Sequence, residues 1–535
     1  MSTSIRICCL IAVLVLASQV VGAELPVQFL FPAGAQVGQD TNITATGTFD
    51  VWPVEVWASD DRLQVTSAEK KGELVAKVAA DLSPGVYWLR LHDGAKASKI
   101  LPFVVSGIPE IREEEPNDAL AEAKELTLPV VVNGQLSKAR EIDCSRIQLK
   151  TGQTLIVSVR ANSILKSPMD AVLQLCDEAG FVVAQQDDEK GLDPQLVFSP
   201  SADGVFHIRL FAFPEQPNST VQFSGAETYV YRMTVTVGPF IDYVMPLALS
   251  STVDSRVQLH GWNLEQTEVS VLSKERNWLS IGASGMAGDF SVPVADTASA
   301  ILGTHDGKPI ELTIPSDFSG TIRSNNIEHL FTFEAKKSQK LDIRVQSQTL
   351  GFALDPVLTI YADDGTKLKE LDDAGKQRDP ELTWTVPNDG RYRLGVKDLF
   401  GDAGFRFAYR LTISEAVPDF QVSLKADVFD FGDADTLKIP LTVQRLAKFD
   451  QAITVECGEL PEGVEMKPVL IESKSGANME IELVLERKNK EDSLSVPLRL
   501  WGRSTDGRSH QVEFGKRTDR GPHTFLWLLA KPKKE

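Results

Sequence analysis

The sequence predicts an all-β protein of several antiparallel β-sandwich domains in series, and three observations carry that expectation. Apolar residues alternate with polar ones over short runs, as at Leu155, Val157 and Val159 and again at Leu341, Ile343 and Val345, which is the period of a strand with one buried face. Turn-forming residues punctuate these runs, with 28 Pro and 37 Gly in the chain, as short strands joined by tight connections require. One long segment also recurs at an offset of 185 to 186 residues, too long for a solenoid period and right for a duplicated domain. Helical periodicity is nearly absent. The one candidate is a short helix over 119–126, with Asn117 or Asp118 placed to cap it.

Taken in order, residues 1–23 read as an export signal, with Arg6 in a short leading region, an apolar run from Cys8 to Val21, and small residues Val21 and Ala23 before a cleavage point. That run is short for a bilayer span, and no later stretch approaches about 18 apolar residues. The expectation is a mature chain from near Glu24, with no membrane span after signal removal, that is secreted, periplasmic or held at the cell surface. Because Ile7 precedes Cys8-Cys9 and the apolar run follows it, the pair does not fit a lipoprotein signal. Roughly 510 remaining residues exceed one core and suggest four or five units. The formal net charge of −19 argues against nucleic acid, which needs clustered Lys and Arg.

The two copies of the repeat match position by position at their turns. Gly134 corresponds to Gly320, Asp170 to Asp355, Asp187-Asp188 to Asp372-Asp373, Asp193-Pro194 to Asp379-Pro380, and Asp203-Gly204 to Asp389-Gly390. The two Asp-Gly pairs stand where a tight turn leads into a strand. Residues 109–238 and 305–415 are therefore read as two related sandwiches. Residues 24–108 alternate through Val27, Phe29 and Phe31 and end in a turn and strand, as a small Ig-like sandwich does. Residues 239–304 open on PFIDYVMPLALSS and continue VQLHGWNL, similar to the start of a TIG-type Ig-like domain. Residues 416–535 form a C-terminal Ig-like sandwich with a basic tail at Lys531, Lys533 and Lys534, read as a solvated terminus.

The repeated segments resemble the bacterial pre-peptidase C-terminal (PPC) domain. The first copy carries Glu113, Glu115, Pro116, Asn117 and Asp118, then Glu141-Ile142-Asp143, Gly152-Gln153 and Asp203-Gly204-Val205-Phe206; the second keeps Asp389-Gly390-Arg391-Tyr392 but lacks the acidic lead-in. The resemblance covers under half of the chain. It implies an exported accessory role, since such domains sit beside secreted proteases and other hydrolases or in arrays on large exported proteins. In collagen-binding relatives the acidic lead-in and a later acidic pair bind calcium, which implies Glu113, Glu115, Asn117, Asp118, Glu141 and Asp143 here. Carboxylates and an amide oxygen suit the six to eight oxygen ligands of calcium. The same residues also suit an ordinary charged linker. Glu141 stands where the family has Asp, and Cys144 where it has an aromatic residue. In the second copy Asn326 and Glu328 remain without a lead-in, so no site is expected there.

No H-E-x-x-H or G-x-S-x-G pattern occurs, so no catalytic residue is assigned and the chain is not expected to be an enzyme. Asp187-Asp188-Glu189 and Asp372-Asp373 read as turns, as do His92-Asp93-Gly94 and His305-Asp306-Gly307. Trp384 alternates with Leu382 and Val386 and is assigned to a core. Three cysteines follow the signal: Cys144, Cys176 and Cys457. Their odd number forms no closed disulfide framework; a Cys144–Cys176 bond stays open, although the repeat sets His329 and Tyr361 against those positions. The expected function is a non-catalytic exported protein, a semi-rigid rod presenting binding or spacer modules to an extracellular or envelope protein or polysaccharide. The alternative is an accessory or divergent component of a secreted peptidase or glycan hydrolase.

Overall fold

The computed structural model describes residues 24–532 apart from 217–218, 220–221, 273–277, 296–298, 304–307, 376, 474–475, 490, 492 and 515–524. The export-signal reading, His305-Asp306-Gly307 and Lys533 with Lys534 lie outside the described residues. Among those described, strands are joined by one short helix, Asn162–Leu165, and one 3-10 turn, Gln348–Leu350. The all-β expectation holds, and no described helix is long and apolar enough to cross a membrane.

The first copy of the repeat is built from β1 (Glu110–Arg112), β2 (Lys124–Glu125), β3 (Val130–Gln135), β4 (Asp143–Leu149), β5 (Leu155–Arg160), β6 (Met169–Asp177), β7 (Val182–Gln186), β8 (Gln195–Phe198), β9 (Gly204–Pro214) and β10 (Val230–Thr236). One sheet runs β2-β4-β9-β6-β7 and the other β8-β5-β10-β3-β1. Period-2 alternation sends Leu155, Val157 and Val159 of β5 inward against Ile147, Leu173, Leu175, Ile208 and Leu210 of the facing sheet, each buried side chain worth roughly 1.5–3 kcal/mol.

The second copy repeats this strand for strand: β11 (Ala300–Ile301), β12 (Ile310–Glu311), β13 (Ser316–Thr321), β14 (His329–Ala335), β15 (Lys340–Gln346), β16 (Pro356–Ala362), β17 (Lys367–Leu371), β18 (Glu381–Thr385), β19 (Gly390–Asp398) and β20 (Ala408–Glu415). Its sheets run β12-β14-β19-β16-β17 and β11-β13-β20-β15-β18, so each strand has its counterpart ten places earlier. Even the bulge recurs, between Leu175 and Cys176 in one copy and between Ile360 and Tyr361 in the other. Trp384 packs against the second core, as its alternation requires. The sheet also draws in Ala300 and Ile301, ahead of the boundary at 305.

The matched residues now have physical reasons. Buried Asp193 accepts the backbone N–H groups of Ala161, Asn162 and Ser163 at 2.8–3.2 Å, and Asp379 accepts those of Ser347, Gln348 and Thr349 at 3.0 Å. Each carboxylate satisfies the free donors of a helical turn. A Cβ on Gly134 would overlap the Tyr231 ring, and one on Gly320 would crowd that of Tyr409, so the tyrosine fixes the glycine. Asp-Gly is not a hairpin turn: β8 and β9 lie in different sheets, and Asp203 instead accepts the Thr151 N–H at 2.7 Å as Asp389 accepts that of Lys337 at 2.6 Å.

Two expectations need correction, and the open question of a Cys144–Cys176 bond is answered. No helix forms over 119–126; the chain makes turns there, with the Glu122 N–H on the Ala119 carbonyl at 2.9 Å, and Lys124-Glu125 join the sheet as β2 in parallel with β4. The segment is too short to repay helix nucleation once its end is recruited by a sheet. His329 stands at the position of Asp143, not of Cys144, because Phe333 pairs with Tyr392 as Ile147 pairs with Phe206. Cys144 and Cys176 are free; β9 runs between their strands, and two strand spacings, about 9.5 Å, exceed what a disulfide spans.

Residues 27–106 form two four-stranded sheets, residues 240–295 two three-stranded sheets, and residues 419–530 sheets of five, four and three strands. The chain does not run out as a rod. Ala97 and Trp57 of the N-terminal unit pack with Val428, Trp527 and Leu529 of the C-terminal unit, and buried Arg90 pairs with Asp427. In the middle, Asp242 binds Lys190 of the first copy at 2.8 Å and Arg406 of the second at 2.6 Å. Burial opposes the Asp242 charge, but the two cations outweigh it and hold the carboxyl below the usual carboxylate range.

Candidate metal centre

The acidic lead-in is laid onto the sandwich by backbone pairing. Glu113 follows β1 and gives its N–H to the Asn133 carbonyl at 3.0 Å, which sets its side chain over Gly134. One carboxyl oxygen accepts the Gln135 N–H at 2.6 Å, and the other lies 2.8 Å from Tyr231 Oη. Asp143 opens β4 on the inward-facing register and lies 2.7 Å from the same hydroxyl. Glu115 curls back to accept the Asn117 N–H at 3.1 Å. Ligand atoms of Glu113, Glu115 and Asp143 all lie within 4.8 Å of one another.

The electrostatics of this cluster favour a cation. Burial pushes the Glu113 and Asp143 carboxyls up, Asp143 well above its ordinary range; Glu113 and Glu141 raise Asp143 further, and Glu115 raises Glu113. Burial and the nearby Glu141 raise Glu115 as well. Tyr231 has one hydroxyl proton for the two carboxyls that face it. Asn117 Oδ1 and Asp143 Oδ1 are buried acceptors without a partner among the described residues. A buried carbonyl or carboxylate oxygen left unsatisfied costs about 1–3 kcal/mol. An all-oxygen set of three clustered carboxyls, with orphaned acceptors at Asn117 and Asp143, could hold a metal ion.

The six expected ligands do not all converge. Glu113, Glu115 and Asp143 do, and Asn117 is buried beside them with its Oδ1 uncommitted. Glu141 is buried but accepts the Lys138 N–H at 2.8 Å, and Asp118 is half-exposed and 3.3 Å from Lys138 Nζ, so this lysine holds both. Tyr231 was missed by sequence reasoning. Its signal is the second repeat Tyr231-Arg232 against Tyr409-Arg410, hidden because the loops before it differ in length.

The second copy shows what the fold needs without the site. Leu302 gives its N–H to the Ser319 carbonyl as Glu113 does to Asn133, and so takes the place of Glu113. His329 takes the place of Asp143, its Nδ1 2.8 Å from Tyr409 Oη, and Glu328 accepts Tyr361 Oη at 3.0 Å. A leucine and a histidine support the same ten strands.

No family model matches the chain. Over 98 residues it is 30% identical to a probable subtilase-type serine protease of Deinococcus radiodurans, a match that covers 18% of this chain and 14% of that protein. A pre-peptidase C-terminal domain of the Bacillus anthracis collagenase is similar in structure over 21% of this chain and 100% of its own length, at 11% identity and a TM-score of 0.17. The CUB1-EGF-CUB2 region of human MASP-1/3 is similar over 54% of this chain and 99% of its own, at 10% identity and a TM-score of 0.15. The chain thus spans a small part of the curated relative it matches.

The remaining candidates take structural places. His92 leads into a turn in which Asp93 accepts the N–H groups of Ala95 and Lys96 at 2.9 and 2.7 Å, and its ring packs on Trp527 at 5.1 Å. A cleft of about 1150 Å³ lies among the second to fifth units, its wall including Asp188, Lys190, Asp242, Trp278, Arg344 and Arg406. Its cations are largely committed, Arg344 to Glu381 and Arg406 to Asp242.

Proposed function

We propose that this chain is a non-catalytic exported protein whose first PPC-like unit binds calcium, tying its lead-in segment to the sandwich and presenting that unit to an extracellular or envelope protein or polysaccharide. One observation carries the metal assignment: the acidic cluster and its orphaned oxygens occur in one copy of a duplicated fold, while the other copy stands with Leu302 and His329 in their place. The cluster is therefore dispensable to the sandwich. With the ion bound, Glu113, Glu115 and Asp143 supply charge, Asn117 Oδ1 supplies an amide oxygen, and Tyr231 is left to donate to whichever carboxyl oxygen faces it.

The test uses the mature full chain. Amide exchange over 113–118 is expected to slow in calcium relative to chelator, with a stabilisation of roughly 2.7 kcal/mol at 100 times the dissociation constant; unchanged exchange at millimolar calcium removes the site. Casein and polysaccharide turnover are expected to be absent, and inhibitor-sensitive turnover removes the non-catalytic reading. The similarity to a probable subtilase-type protease favours one second reading, an accessory component of a secreted peptidase. It predicts co-purification with peptidase activity that leaves when the chain is depleted.

A further inference from the structure

We propose that the outer edge of β7 is a docking strand that takes an extended, β-branched segment of another protein, flanked by basic residues, as an added strand. This deepens the accessory reading by naming a class of partner, and it rests on that reading.

β7 ends its sheet, with no strand on its outer side among the described residues. Phe181, Val182 and Val183 are 73, 47 and 43% exposed, the one run of three consecutive exposed large apolar residues among those described. β8, the facing edge strand of the other sheet, adds exposed Val197. An apolar, uncharged edge is a template for pairing, and natural sandwiches blunt such edges with charge, lysine above all.

The duplicated unit supplies the control. β17 occupies the same place in the second copy and carries Lys367, Lys369 and Glu370 where β7 has Val182, Ala184 and Gln185, with Lys367 bound to Glu370 at 2.7 Å. Thr366 and Thr383 replace Phe181 and Val197. The same sandwich therefore forms with a blunted edge, and the open one in the first copy is not a requirement of folding.

Charge selects the occupant. Glu178 lies before β7, and Asp187 and Asp188 follow it; all three are exposed. A second copy of this chain paired antiparallel on β7 would set Glu178 of one molecule against Asp187 and Asp188 of the other, and like charges facing across a strand pair repel. A partner with basic flanks meets attraction at both ends. Main-chain hydrogen bonds then provide the affinity, and alternate side chains provide selectivity on the valine edge.

The probe is a fluorescent peptide of alternating valine and threonine with a lysine pair at each end, titrated into the mature full chain. Binding is expected to saturate, to protect amides over 182–186, and to weaken at least about tenfold in V182K/A184K, which writes the tolerated pattern of β17 into β7. In E178K/D187K, which leaves the strand itself untouched, preference is expected to shift toward a glutamate-flanked peptide. Unchanged binding in both variants, equal binding of the two peptides to the wild type, or protection elsewhere overturns the proposal. So does a wild-type dimer in sedimentation that V182K/A184K dissolves, since the occupant is then a second copy. Turnover assays are read without the peptide and peptide binding without a substrate, so the two readings fail separately.

Discussion

At the scale of single residues, the acidic cluster ties pH to stability. Glu113 and Asp143 bind protons more tightly when folded than when unfolded. Above the ordinary carboxyl values near about 4, the folded chain then holds more protons than the unfolded one, so stability falls as pH rises toward the raised values. In chelator, the melting temperature is expected to decline as pH rises above about 4, and to decline less in D143N, where a neutral amide replaces the titrating acid. A flat wild-type profile contradicts the raised carboxyls. At the proposed site calcium is expected to take the place of protons on these carboxyls, so that its stabilisation grows with pH. The resemblance to the PPC domain implied six oxygen ligands, of which Glu113, Glu115 and Asp143 converge. Two facts were not legible: that Lys138 claims Glu141 and Asp118, and that Tyr231 arrives from a strand almost ninety residues farther along the chain. Both depend on strand pairing across the sandwich.

At the scale of elements, the Asp-Pro pairs are structural. Asp193 and Asp379 each serve three backbone N–H groups of a buried turn. D193A and D379A are each expected to cost about 1–3 kcal/mol by leaving those donors unpaired, read as a fall in the denaturant midpoint with little change in slope; a change within noise shows the turns to be satisfied otherwise. The strands were legible because period-2 alternation and turn residues are local signals. The helix read at 119–126 failed because its competitor was not local: β4 offered Lys124 and Glu125 a parallel partner.

At the scale of the whole molecule, charged side chains hold the units against one another. Asp242 is buried between Lys190 and Arg406, and Gln195 gives it a further hydrogen bond at 2.8 Å. Removing one partner of a buried ion pair costs about 3–5 kcal/mol because the other charge stays behind. D242A is therefore expected to destabilise the chain by about that amount and to loosen the two copies, read as a larger radius of gyration; an unchanged melt and radius show that the apolar junctions alone hold the units. Nothing in the local pattern announced this arrangement. Arg90 and Asp427 lie 337 positions apart, and the rod expected from domains in series does not allow their contact.

The central proposal is that the first copy of the duplicated sandwich binds a cation where the second copy has Leu302 and His329. Calcium titration of the mature chain by calorimetry tests it most directly. The expected result is one calcium per chain, abolished in D143N while the far-ultraviolet spectrum is unchanged. Two ions, none, or one that survives D143N would contradict it.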